Sequence, residues 1–218
     1  AFSALSQYRY SDGYKELEDS ENVASFKSHV RYLSSAMLEG RKSGSEGERL
    51  AAEYVADVLK SYGVEVLSPD SGDVFGIKKE NGDTLTSRNV VGLVQGYDRN
   101  LRNRYIVVGA RLDNLGTMTM TQDGQTKEKI LYGANGNASG LAMMLELARM
   151  VQTNSVAFRR SVVFVAFGAS KETYAGAWYL LNRSFSEVEE IDAMINLDML
   201  GTGYNGFYAY TSSNSDMN

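Results

Sequence analysis

Ile106-Val107-Val108-Gly109-Ala110-Arg111-Leu112-Asp113-Asn114-Leu115-Gly116 is the stretch whose reading decides the fold. Residues 106–110 are apolar or small without a polar break, the pattern of a strand buried on both faces. The run then stops abruptly in a polar loop. In open α/β sheets, ligands and chemistry sit just past the carboxyl ends of such strands. Residues 132–140, 166–171 and 196–201 also end or lie in polar loops after apolar runs. Four such stretches predict one rim carrying polar side chains, the layout of an active site.

Composition bounds the rest. The 218 residues suffice for one sizeable α/β domain. Apolar residues make up 43% and charged residues 22%, the balance of an ordinary globular protein. A net charge of −5, with no Lys/Arg cluster, argues against a nucleic-acid partner, because phosphate neutralisation needs a basic patch. No apolar run approaches the roughly 20 residues of a membrane-spanning helix. Residues 1–6 have neither the basic start nor the apolar stretch of a signal peptide. Cysteine is absent, which excludes disulfides, thiolate metal sites and a cysteine nucleophile together. His29 is the single histidine. A Ser-His-Asp triad must recruit it or not exist, and a multi-histidine zinc site cannot be built from this chain alone.

Residues 1–21 are polar, tyrosine-rich and weakly patterned, and read as an N-terminal arm before one domain over residues 22–218. Phe26, Val30, Leu33 and Met37 fall at three-and-four spacing, which predicts a helix with one apolar face. His29 sits beside that stripe in a structural or surface position. Residues 39–44 read as a loop. Ser45 and Glu48 have capping-box spacing and open a second helix, with Ala51, Tyr54, Val55, Val58, Leu59 and Tyr62 inward and Gly63 as its stop. A short strand over 64–67 is broken by Pro69, the only proline. Residues 74–79 and 84–94 flank Asn81-Gly82-Asp83 and predict paired antiparallel strands. Residues 114–129 are polar and aperiodic, and read as a long functional loop in which Asp123 is solvated.

Beyond that loop the pattern predicts a helix over 137–151, a doubly buried strand over 161–167, a helix over 173–182, another buried strand over 191–197 and one more strand from 207 to 211. Tyr174, Trp178 and Tyr179 read as helix packing rather than a binding platform. The expected fold is a three-layer α/β/α sandwich, with helices on both faces of a mixed, mostly parallel central sheet.

A series of short motifs runs through this framework. Leu33-Ser34-Ser35 leads to Leu38-Glu39-Gly40-Arg41, and Gly44-Ser45-Glu46-Gly47 precedes Ala51-Ala52-Glu53-Tyr54. Asn89-Val90-Val91-Gly92, the Gly109 to Gly116 strand end and Gly133-Ala134-Asn135-Gly136-Asn137-Ala138-Ser139-Gly140 follow. Leu145-Glu146-Leu147-Ala148-Arg149, Ala166-Phe167-Gly168-Ala169 and Asn196-Leu197-Asp198-Met199-Leu200-Gly201 complete the set. In that order they resemble the two-zinc aminopeptidase family, which is related to glutaminyl cyclases and glutamate carboxypeptidases.

The resemblance implies two zinc ions held by His, Asp and Glu, with a Glu as general base on a bridging water. Carried over position by position, the first ligand histidine falls on Arg111. Asp113 matches the aspartate that orients that histidine. The bridging aspartate falls on Gly136, the Glu-Glu pair on Ser170 and Lys171, and the last aspartate on Asp198. The family's final histidine lies beyond residue 218. A register shift would bring Glu172 into the pair, but Gly176 keeps the family's spacing and argues against it.

A guanidinium has no free lone pair and stays protonated, so Arg111 cannot hold zinc. Gly136 has no side chain, and Lys171 puts an ammonium where a carboxylate stood. The expectation is therefore a catalytically inactive aminopeptidase-like protein without zinc or another cofactor. Its former site is Arg111, Asp113, Gly136, Ser170, Lys171 and Asp198. Since unpaired buried carboxylates are costly, Arg111 and Lys171 are expected to replace the zinc charge by pairing with Asp113 and Asp198.

Adjacency of Ser170 and Lys171 does not make a Ser-Lys nucleophile. Gly133, Gly136 and Gly140 fit the spacing of neither phosphate-binding loop. The function expected is binding or structural, for a peptide or protein partner. The alternative is an active zinc aminopeptidase or hydrolase, completed by a missing C-terminal segment or a partner chain or using a relocated site. The resemblance also implies that part of the family's domain lies beyond residue 218, and that residues 207–211 leave a sheet edge for a partner strand. It further implies an exported location: periplasmic, cell-envelope or extracellular.

Overall fold

The computed structural model describes residues 20–69, 72–122, 125–185 and 190–202. The arm up to residue 19 and the strand expected at 207–211 lie outside them. Helix α1 (Glu21–Leu33) starts where Ser20 Oγ accepts the N–H of Val23 at 3.3 Å. After a 3₁₀ turn, Ala36–Leu38, comes α2 (Glu46–Ser61). Ser45 Oγ accepts the N–H of Glu48 at 3.3 Å, as the capping-box spacing predicts. The reciprocal bond is displaced by one residue: Glu48 Oε2 reaches past the cap and accepts the N–H of Gly44 at 2.8 Å.

The strands are β1 (Glu65–Val66), β2 (Asp73–Lys78), β3 (Thr84–Val94), β4 (Tyr105–Arg111), β5 (Thr117–Gln122), β6 (Gln125–Ile130), β7 (Ser161–Phe167) and β8 (Ile191–Leu197). Helices α3 (Ser139–Thr153) and α4 (Ala175–Ser184) complete the frame. The main sheet runs β1-β3-β7-β4-β8, with β2 pairing the first half of β3. One side of it, β7-β4-β8, is parallel, while β3 is antiparallel to β1, β2 and β7.

Every residue of β7 is buried, because both of its faces are covered. Val162, Phe164 and Ala166 share one core with Leu33 of α1, Val55 of α2 and Leu141 of α3. Val163, Val165 and Phe167 pack on the other face with Leu180 of α4. The result is the expected α/β/α sandwich with a mixed sheet. Among the described residues no helix is long and apolar enough to cross a membrane.

Several local expectations change. No residue of β8 is buried, and Met194 and Ile195 are 45% and 48% exposed, so its apolar run does not mark a buried strand. Met37 lies in the 3₁₀ turn past the end of α1 and is exposed, so it is not part of that helix's apolar face. Residues 117–130 are an antiparallel hairpin rather than a loop, with Gln122 opposite Gln125. Asp123 and Gly124 lie outside the described residues; as a sequence pair, Asp-Gly favours a two-residue hairpin turn, a signal the aperiodic reading passed over. α3 begins at Ser139 instead of 137, because Ala134–Ala138 forms a wider turn containing non-helical Gly136 and Asn137. α4 begins at Ala175 instead of 173, because Thr173 and Tyr174 are left-handed, at φ 56° and 57°.

His29 is buried between helices, away from the sheet ends. Its Nδ1 lies 2.7 Å from Tyr54 Oη, and its Nε2 lies 3.0 Å from Tyr62 Oη and 3.4 Å from Glu146 Oε1. Burial pushes its pKa down against the pull of Glu146.

Candidate functional site at the carboxyl ends of the parallel strands

Strand register assembles the site. Ala110 of β4 lies opposite Leu197 of β8, and Arg111 lies opposite Phe167 of β7. Arg111 and Asp198, one residue further along each strand, therefore come level at the same end of the sheet. Arg111 Nη2 donates to Asp198 Oδ1 at 2.6 Å, and Nε stands 3.2 Å from both carboxylate oxygens. The Arg111 side chain is 13% exposed and that of Asp198 39%.

Asp113 turns the other way and is fully buried. Its Oδ2 accepts the hydroxyl of Ser43 at 3.0 Å, and its Oδ1 accepts the N–H of Ser170 at 2.8 Å. One carboxylate thus ties the 41–44 loop and the 168–171 turn to the end of β4. The charge facing it belongs to Arg41, also fully buried. Arg41 Nε donates to the carbonyl of Leu112 at 3.1 Å, and its terminal nitrogens bond the carbonyls of Leu33, Tyr132 and Gly133. Burial pulls the Arg41 pKa down to about 10, with Asp113 opposing.

The turn carrying Ser170 and Lys171 is pinned by Asn89. Its Oδ1 accepts the N–H of Gly168 at 3.1 Å, and its Nδ2 donates to the carbonyl of Gly176 at 2.8 Å. A Cβ on Gly176 would stand 2.3 Å from the Gly168 carbonyl oxygen, so this close approach needs glycine. Ser170 is buried, and its hydroxyl has no hydrogen-bond partner among the described residues. It makes no contact with Lys171 of the kind a Ser-Lys nucleophile needs. Lys171 is exposed and has no ion pair among the described residues. The expected double pairing is therefore corrected. Arg111 takes Asp198, Asp113 is held by Ser43, Ser170 and the field of Arg41, and Lys171 pairs with neither carboxylate.

Gly136 leaves open space, with nothing within 4 Å of where a Cβ would be. Its neighbour Asn137 is a clamp. Asn137 Nδ2 donates to the carbonyl of Leu197 at 2.9 Å, while Oδ1 accepts the N–H groups of Gly140 at 3.2 Å and Met199 at 3.0 Å. Asn135 Oδ1 accepts the N–H of Gly201 at 2.7 Å, and Ser139 Oγ accepts that of Leu200 at 3.1 Å. Together they fix the loop that presents Asp198. Sequence reasoning singled out neither this asparagine-serine clamp nor Arg41, Ser43 and Asn89. Arg41, Asn89, Asn135, Asn137 and Ser139 stand inside the motifs that carry the resemblance, but the motifs assigned none of them a role.

Between these elements lies a cleft of about 460 Å³, lined by Arg111, Ser170, Lys171, Thr173, Tyr174 and Asp198, with Met199 on its rim. Four residues around it are non-glycine and left-handed: Ala169, Thr173, Tyr174 and Met199, at φ 49° to 57°. Such conformations cost on the order of 1 kcal/mol each and collect at functional sites. Tyr174 and Trp178 are 66% and 63% exposed, which overturns their reading as packing residues. Tyr179 does pack, stacked on Phe75 with 4.9 Å between ring centroids.

Among the described residues, the donors at the expected positions do not by themselves fit a zinc ion. The described residues contain no group of three or more His, Cys, Asp or Glu placed to hold a metal. The residues at the expected positions are a guanidinium, a glycine, a hydroxyl, an ammonium and one carboxylate already engaged by Arg111.

Among curated proteins, the chain is 31% identical over 134 residues to aminopeptidase YwaD of Bacillus subtilis, covering 60% of this chain and 29% of that protein. It is 26% identical over 170 residues to the alkaline phosphatase isozyme conversion protein of Escherichia coli, covering 75% and 48%. The chain thus spans less than half the length of these relatives. Among solved structures, it matches an aminopeptidase from Aneurinibacillus sp. strain AM-1 with a TM-score of 0.63 at 18% identity, over 83% of this chain and 71% of that one. A glutaminyl cyclase from Tannerella forsythia matches with a TM-score of 0.59 at 19% identity, over 82% and 62%. Both share the fold. Residues 89–218 match Peptidase family M28, and the chain belongs to that family.

Proposed function

We propose that this chain is a non-catalytic member of Peptidase family M28 that uses the cleft to bind a peptide or protein partner. One observation carries the reading: the guanidinium of Arg111 sits on Asp198, the last carboxylate of the family's metal-binding pattern that this chain retains. A permanently protonated group cannot serve as a metal ligand. It also places a positive charge against the carboxylate that a metal would need. Lys171 adds a second cation beside it, and no described carboxylate of the cleft is free to act as general base.

The test is metal analysis of the purified protein together with hydrolysis of aminoacyl anilides. The expected result is sub-stoichiometric zinc and no turnover that a chelator removes. The competing reading is an active hydrolase completed by residues outside this chain or by a partner. It requires stoichiometric zinc and chelator-sensitive turnover, and that result would overturn the proposal.

A further inference from the structure

We propose that the cleft is a carboxylate-binding site for a peptide, seated between the unused edge of Arg111 and the ammonium of Lys171, with the adjoining residue against Tyr174 and Trp178. The inference rests on the non-catalytic reading and names the chemistry of its ligand.

The charges of the cleft do not cancel. Arg111 and Asp198 neutralise each other, and Lys171 is left over, exposed and without an ion pair among the described residues. Glu172 follows it in sequence but is not part of the lining. Arg111 is also only half used. Its Nε and Nη2 hold Asp198, while Nη1 has no hydrogen bond among the described residues. A guanidinium carries five donors in a planar fork, so one edge can hold Asp198 and the other can take a second carboxylate. These groups are donors, and the one acceptor carboxylate among them is already occupied.

The walls say what accompanies the anion. Tyr174 lines the cleft at the cap that precedes α4, and Trp178 lies in the first turn of that helix, its N–H donating to the Tyr174 carbonyl at 3.2 Å. Both are about two-thirds exposed, and Met199 offers a half-exposed apolar surface on the rim. Exposed aromatic side chains beside a cationic pocket suit a ligand with a charged group followed by an apolar one. The backbone there is held in left-handed conformations at Thr173, Tyr174 and Met199, as in a site kept in one shape. A volume of about 460 Å³ takes one or two residues rather than a domain.

Trp178 is the only tryptophan in the chain, so its fluorescence reports on the ridge directly. The full chain is titrated with three hexapeptide libraries of matched composition: free C-terminal acids, C-terminal amides, and amides carrying one internal Asp. Saturable change with the free acids, at least tenfold weaker with the plain amides, assigns the site to a C-terminal carboxylate. Equal response to the Asp-containing amides assigns it to an acidic side chain. In either case Lys171→Ala should weaken binding about tenfold and Lys171→Glu should abolish it, with unchanged circular dichroism.

Equal binding of acids and plain amides, no binding of any library, or indifference to Lys171→Glu overturns the proposal. Each of these outcomes leaves the non-catalytic reading intact, since that reading stands or falls on zinc content and anilide turnover.

Discussion

Arg111 holds Asp198 through two of its nitrogens, at 2.6 Å and 3.2 Å, and so joins the ends of two neighbouring parallel strands. Register alone brings the two residues level, and the bond adds a lateral tie past the last ladder pair. Because the carboxylate is 39% exposed, solvent screens the pair and its coupling should be only about 0.5–1 kcal/mol. A double-mutant cycle with Arg111→Ala and Asp198→Ala, read by urea denaturation, should return that value and shrink in high salt. Arg111→Lys should recover little of it, since an ammonium cannot span both carboxylate oxygens and keep its stem along β4. Zero coupling at low salt would show that the contact carries no stability.

Arg41 should matter far more to stability than Arg111. Its guanidinium is fully buried and bonds the carbonyls of Leu33, Leu112, Tyr132 and Gly133, linking the end of α1 to both flanks of the site. Removing it strands those acceptors and leaves Asp113 buried without its facing charge. Arg41→Met is expected to lose about 3–5 kcal/mol of unfolding free energy, the cost of breaking one side of a buried charge arrangement. Arg41→Lys should fall nearly as far, because three donors on one nitrogen cannot reach carbonyls spread over a plane. Recovery to within about 1 kcal/mol by lysine would reduce Arg41 to a simple counter-charge.

How far these features could be read from sequence depends on the physics of each. β4 and β7 were legible because a central parallel strand is apolar on consecutive residues, and few other elements are; β8 carries the same apolar run although it ends the described sheet and none of its residues is buried. That Arg111 and Asp198 share one rim was legible because both residues end such strands, but not that they pair with each other. The fate of Lys171 was not. Sequence places it in the turn, but only the structure shows Asp113 already satisfied by Ser43 Oγ and the Ser170 N–H. The β5–β6 hairpin was missed because its strands are solvent-exposed, so no inward face imposes an apolar alternation. Arg41 was missed because a buried arginine bonded to carbonyls leaves no periodic trace.

Glu48 gives the fold a pH dependence of unusual sign. It is fully buried between Ser87 Oγ at 2.6 Å and the Gly44 N–H at 2.8 Å. Burial outweighs those bonds and raises its pKa from 4.5 to about 7. Between those values the folded state keeps a proton that the unfolded state has lost, so this group makes stability fall as pH rises from about 4.5 to 7. The full loss, on the order of 3 kcal/mol, is present above pH 7. His29 acts oppositely: its depressed pKa removes stability as pH falls below 6.5. Glu48→Gln should therefore be relatively more stable at pH 8 than at pH 5, and should leave a profile that only rises toward neutral pH. Parallel wild-type and variant profiles in chemical denaturation would show that Glu48 does not titrate in this range.

Gly136, in the turn before α3, and Gly140, in its first turn, should respond in opposite ways to a side chain. Gly136 has φ −116° and ψ 78°, and a Cβ there would meet nothing within 4 Å. At Gly140 a Cβ would stand 2.3 Å from the Leu197 carbonyl oxygen and 2.5 Å from Asn137 Oδ1. Gly140→Ala must therefore push apart the clamp that positions Asp198, at an expected cost above about 2 kcal/mol. Gly136→Asp, which restores the residue type the family's pattern has there, should fold with a change below about 1 kcal/mol. The contrast bears on how the site came to its present form. If thermal unfolding shows Gly136→Asp to be tolerated, packing did not demand the loss of that carboxylate, and its absence reflects what the cleft binds. If Gly136→Asp unfolds the chain as Gly140→Ala should, the glycine serves the turn, and position 136 carries no argument about metal at all.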